Sequence, residues 1–199
     1  MKRRMFDVTT LTLTLAALSS AAASAQATAL PTFHAPTRAF GISETGVSLS
    51  RPGGDLTGLE LRLGFALDEA DVALRGGYLD VSGGGGDWVA GLEARIPVLG
   101  RSSGFPLDGA LILGVGRHFT DGGGQMIVPI GLTLGRRLFL DGNAFVVTPY
   151  AQPTVIFAGD ELITIGLGLD VKIGEVPEIR LNWAEGDLDG FSLSVFWSR

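Results

Sequence analysis

The chain has no cysteine among its 199 residues. Disulfide staples and thiolate metal sites are therefore excluded, whatever the compartment. Lysine is nearly missing as well, present only as Lys2 and Lys172, and the formal net charge is −6. Such a balance cannot build the basic face that holds nucleic acid. Beyond Ala27 no stretch reaches the roughly 20 consecutive apolar residues of a spanning helix. Metal-ligand spacing, a phosphate-cradling loop and paired catalytic carboxylates are also lacking, so the residues point to no cofactor and no metal.

The first stretch has the layout of an export signal. Lys2, Arg3 and Arg4 precede an apolar run from Val8 to Ala23, and Ala23-Ser24-Ala25 and Ala25-Gln26-Ala27 both offer the small-x-small pattern of signal cleavage. The expected organisation is a signal peptide over 1–25 with an alternative cleavage after Ala27, a short leader over 26–38, and one domain over 39–199. Removing Lys2, Arg3, Arg4 and Asp7 takes away a net +2 and leaves −8 on the mature chain. His34, in the Pro-flanked leader, is expected to be exposed.

What is abundant is apolar side chain, at 46%, and glycine, at 30 residues. So much glycine disfavours helices, since each interior Gly costs about 1 kcal/mol relative to Ala. From Ala39 onward the pattern alternates with a period of two, the mark of strands. Leu59, Leu61, Leu63 and Phe65 share one face while Glu60, Arg62, Gly64 and Ala66 share the other. Ten segments are predicted, near 39–50, 56–67, 71–81, 88–96, 107–119, 126–136, 144–157, 162–173, 179–184 and 191–198; eight is the alternative if the first and ninth are irregular. Punctuators at Pro52 to Asp55, Gly83 to Asp87, Asp121 to Gly124, Asp141 to Asn143 and Gly159-Asp160 close tight turns, so neighbours run antiparallel. Pro129, Pro149 and Pro153 fall inside predicted strands and suggest bulges. Segment 107–119 fits either facing, because Leu111, Leu113 and Val115 oppose Ile112.

An all-β antiparallel up-and-down barrel follows, and the charges decide its sidedness. The non-apolar faces combine opposite signs with glycine: Glu60 with Arg62, Glu93 with Arg95, Asp170 with Lys172, Arg180 beside Asn182. An Arg facing lipid at mid-depth would cost about 2–4 kcal/mol, which turns these residues inward. The expected lumenal network is Glu60, Arg62, Arg75, Glu93, Arg95, Asp170 and Lys172, filling a narrow interior. Phe65, Trp88, Phe119, Phe157, Trp183, Phe191 and Trp197, with Phe139 and Phe145, fall at segment ends, where an interfacial aromatic girdle belongs.

The export signal, the glycine-rich strands and the closing segment Phe191-Ser192-Leu193-Ser194-Val195-Phe196-Trp197 resemble the broad family of small bacterial outer-membrane β-barrel proteins. The resemblance implies a transmembrane barrel exported to the outer membrane, with lipid and the barrel-assembly machinery as partners. In that family the last strand usually ends in an aromatic residue; here Ser198 and Arg199 follow Trp197. The expected role is structural or that of a narrow pore, and the protein is not read as an enzyme. Two alternatives stand beside it. Arg117-His118-Phe119-Thr120-Asp121 resembles the lipid A deacylase barrels, with Thr120 where a nucleophilic Ser would stand, and a soluble lipocalin-like periplasmic barrel shares the alternation. Glu185, Asp187 and Asp189, like Asp68, Glu69 and Asp71, read as solvated turns rather than calcium loops. The short connections leave no large adhesive surface.

Overall fold

The computed structural model describes residues 27–28, 30–36, 43–53, 56–81, 85–100, 106–120, 122–140, 145–174 and 177–198. The expected signal over 1–25, the start of the segment expected at 39–50, and the turn residues Gly54, Asp55, Gly83, Gly84, Asp121, Asp141, Gly142 and Asn143 lie outside them.

Among the described residues eleven strands follow one another: β1 (Glu44–Pro52), β2 (Leu56–Ala66), β3 (Asp71–Val81), β4 (Gly85–Leu99), β5 (Asp108–Thr120), β6 (Gly123–Gly135), β7 (Leu138–Leu140), β8 (Phe145–Ala158), β9 (Asp160–Ile173), β10 (Glu178–Gly186) and β11 (Gly190–Ser198). Each pairs antiparallel with its neighbours, and β1 against β11 together with β6 against β8 closes the ring. Ten strands form this barrel, and the exposed β7 lies outside it against the start of β8. Closure removes the free edges that an open sheet would offer to other chains. The tightest turn is a single residue between β8 and β9, Gly159, whose φ of 84° suits glycine.

Polarity sorts the faces. In β2, Leu59, Leu61, Leu63 and Phe65 are exposed while Glu60 and Arg62 are buried. The same holds for β4, where Trp88 and Leu92 face out and Glu93 and Arg95 face in. Register resolves the ambiguous fifth strand: His118 stands opposite inward-facing Val89 and Ile112 opposite Arg95, so Leu111, Leu113 and Val115 point outward.

The prolines mark no bulges, a correction to the sequence reading. Pro129 pairs with Ile156, and the ladder between β5 and β6 lapses at Gly114 and Val115 but resumes unshifted. Pro153 pairs with Ile165, while the ladder to β6 lapses at Leu132 and Thr133 without change of register. Pro149 sits in an unbroken ladder opposite Leu169. Each proline removes a donor without adding a residue. A register shift does occur in β4, between Pro97 and Leu99.

The interior has two zones. Toward the end where β1–β2, β3–β4, β5–β6, β8–β9 and β10–β11 turn, Leu79, Val89, Ile127, Ile156, Ala158 and Leu162 form an apolar cluster with Leu30, and Leu188 packs on it. Toward the end that carries the start of β1 and the close of β11 lies a network of buried charges.

Candidate functional site

Among the described residues, inward positions supply six buried carboxylates, Glu44, Glu60, Asp71, Glu93, Asp170 and Glu178, against four buried guanidiniums, Arg62, Arg75, Arg95 and Arg180. The partners meet across strands. Arg75 bonds Glu60 at 2.8 Å and Glu93 at 2.7 Å; Arg62 pairs with Glu44 and lies 3.4 Å from Glu93; Arg95 donates to Asp71 at 2.8 Å; Arg180 donates to Asp170 at 2.8 Å. These contacts run along the wall between neighbouring strands, that of Arg62 with Glu93 alone among them passing over one strand, and Lys172, expected in the network, is half-buried with no ion pair among the described residues. Burying charge is tolerable only with such pairing.

Glu44, Asp71 and Glu178 are members that the sequence expectation lacks, and Arg180, expected to face inward beside Asn182, joins the network with them. Asp71, expected in a solvated turn, instead opens β3 in phase with Arg75 and pairs with Arg95. The signal was present, because Glu178, Arg180 and Asn182 alternate with Ile179, Leu181 and Trp183 in the same way as the strands that were recognised.

Through this lumen runs the segment 27–36, whose described residues are all buried. The expected exposure of His34 is thereby corrected: it is 1% exposed. Glycines cut the furrow. A Cβ at Gly91 or Gly116 would strike Ala27, at Gly58 it would strike Leu30, and at Gly166 the Phe33 ring. The wall then reads the segment's backbone. Five successive carbonyls each accept from a different side chain: Pro31 from Ser192 (2.8 Å), Thr32 from Arg75 (3.3 Å), Phe33 from Tyr150 (3.0 Å), His34 from Thr133 (2.8 Å) and Ala35 from Arg95 (2.6 Å). Thr28 and Thr32 donate hydroxyls to the Glu60 carboxylate.

His34 is gripped from three sides. Its Nδ1 meets the Arg180 guanidinium, its ring lies edge-on to Phe196 with centroids 5.9 Å apart, and Nε2 is 3.9 Å from Glu93 Oε1. Arginine can only donate, so Nδ1 accepts and the ring proton is placed on Nε2, toward the carboxylate. Arg180 also stacks over Phe196 at 4.1 Å.

His118 lies at the turn end, with Asp87 Oδ2 3.1 Å from its Nε2. The carboxylate a catalytic dyad needs is present. The hydroxyl is not in place: Thr120 Oγ1 donates to the Gly123 carbonyl at 3.2 Å, and no hydroxyl bonds the imidazole among the described residues. In the acidic turn, Asp187 accepts from the Ile163 amide at 2.7 Å, a turn-closing contact. Outside, Trp88, Phe119, Phe157, Trp183 and Phe191 lie toward the turn end and Phe65, Phe139 and Trp197 toward the other, all exposed, while Phe145 is half-buried.

No family model matches the chain, and no curated protein matches it. Among solved structures it is similar to a de novo designed transmembrane β-barrel, at 12% identity and a TM-score of 0.44 over 80% of this chain and 96% of that one. It is also similar to the β domain of the Bordetella autotransporter BrkA, at 17% identity and a TM-score of 0.44 over 79% of this chain and 98% of that one.

Proposed function

We propose that this chain is an outer-membrane β-barrel with a closed lumen and a structural, non-conducting role. One observation carries the reading: the barrel is inside out. Among the described residues 30 large apolar side chains are exposed, whereas four buried arginines and six buried carboxylates face inward. Monomeric soluble proteins rarely expose so continuous an apolar surface, and a lipocalin-like barrel would place its polar face outside. Hydrocarbon is the solvent that accepts such an exterior. The two levels of exposed aromatics suit the two interfaces of a bilayer, and lipid and the barrel-assembly machinery are then the partners.

Closure of the lumen is supported by the apolar cluster at one end, the ion pairs at the other and the segment 27–36 between them. The expected result is a protein that fractionates with the outer membrane, migrates differently in gels before and after boiling, and gives no steady conductance in planar bilayers. A conductance that changes when Arg95 is made Ala would replace the structural role with a pore.

A further inference from the structure

We infer that the lumen is a binding site for an extended peptide, held by its backbone carbonyls, and that residues 27–36 occupy it as a separable ligand whose withdrawal opens a cation-preferring path. The inference rests on the membrane-barrel reading and goes beyond it.

Three observations carry it. First, five successive carbonyls, from Pro31 to Ala35, are each met by a wall side chain drawn from five different strands: Ser192 on β11, Arg75 on β3, Tyr150 on β8, Thr133 on β6 and Arg95 on β4. Ordinary loop packing leaves most such groups to water or to neighbouring backbone. Here the donors are fixed on a rigid sheet and encircle the guest. Second, the furrow is cut to the guest's outline, since Gly58, Gly91, Gly116 and Gly166 sit where Leu30, Ala27 and Phe33 lie. Third, the wall does not need the guest for its charges. Glu60 with Arg75, Arg62 with Glu44 and Glu93, Asp71 with Arg95, and Asp170 with Arg180 are pairs of wall with wall. Among the described residues of 27–36 none pairs in a ladder with the barrel strands. Departure of the segment therefore exposes polar groups to water without stranding a buried ion.

Among the described residues an emptied lumen would carry six carboxylates against four guanidiniums and the half-buried Lys172. An excess of negative groups in a narrow, low-dielectric passage concentrates cations. Leu30, in the apolar cluster, is the part of the segment that seals the turn end.

The test uses the full-length chain, whose freedom from cysteine makes labelling unambiguous. Unboiled gel migration first reports insertion for every variant; a wild-type chain that never inserts overturns the membrane reading itself. In inserted protein, Thr32→Cys is expected to react with a membrane-impermeant maleimide at least about a hundredfold slower than in the urea-unfolded chain, the protection of a locally closed segment. Adding Leu30→Asp, which places a charge in the apolar seal, should restore labelling and give cation-preferring conductance. A synthetic peptide of residues 27–36 should then block that current, and a scrambled peptide should not. Fast labelling of Thr32→Cys in inserted wild-type background overturns the proposal. So does a Leu30→Asp conductance that the peptide leaves unchanged, or full protection of the Leu30→Asp chain with no current. Should Leu30→Asp fail to insert, Gly116→Val, which wedges Ala27 from its furrow, takes its place: current is again expected, and its absence, with Thr32→Cys still protected, counts against the site.

Discussion

Arg180 concentrates the logic of single residues in this barrel. Its side chain is fully buried, donates to Asp170, lies 3.5 Å from Glu178, meets His34 and stacks on Phe196. Removing one partner of a buried pair leaves the other charged in a medium that cannot solvate it, a loss of about 3–5 kcal/mol. Arg180→Met is therefore expected to lower the unfolding free energy of the barrel in lipid vesicles by that amount, read as a lower urea midpoint. Asp170→Asn in the same chain should recover part of the loss, because the stranded charge is then gone. Simple additivity of the two substitutions would show that the pair is not coupled. Arg180 was noticed in the sequence only as a neighbour of Asn182, since its partner stands on another strand, and alternation gives a residue's facing but not its reach.

At the level of elements, the proline-bearing strands β6 and β8 are the weak seam of the ring. Their shared ladder lapses at Leu132 and Thr133 beside Pro153, which has no amide hydrogen to give. Thr133 turns its hydroxyl instead to the His34 carbonyl. Pro153→Val, at an exposed outward position, is expected to restore a ladder bond and raise stability by about 1 kcal/mol, read as a higher urea midpoint with unchanged gel migration. A fall in stability would mean that the lapse is shaped for the lumenal segment. The ten ring strands were legible because period-two alternation and glycine-rich turns are local signals, and their predicted bounds differ from the observed ones by a few residues, as at 88–96 against Gly85–Leu99. The segment 27–36 was not, because it has neither period and its placement is set by absences: glycines on other strands at inward positions. Those glycines, read together as a furrow, were the signal that could have found it. The extra strand β7, three exposed residues after Arg136 and Arg137, carries no alternation long enough to read.

For the molecule as a whole, the decisive property is which side meets lipid, and two adjacent residues test it. Leu61 is 48% exposed on the outer face of β2, and Arg62, next to it, is 1% exposed in the lumen. Inserting a guanidinium on the outer face asks hydrocarbon to solvate a charge, at about 2–4 kcal/mol near mid-depth. Replacing the inner one asks Glu44 and Glu93 to lose a partner they share. The two costs fall on different steps. Leu61→Arg burdens entry into the bilayer, so the expected outcome is unfolded protein left outside vesicles with no shifted band on unboiled gels. Arg62→Leu leaves the exterior untouched, so the chain should still insert and shift, but unfold at lower urea. A water-facing exterior would reverse the order, with Leu61→Arg harmless and the protein folding without lipid. The pair thus separates sidedness from stability in one experiment, because both variants change the same strand by one charge while only one of them changes the face presented to the solvent of the fold.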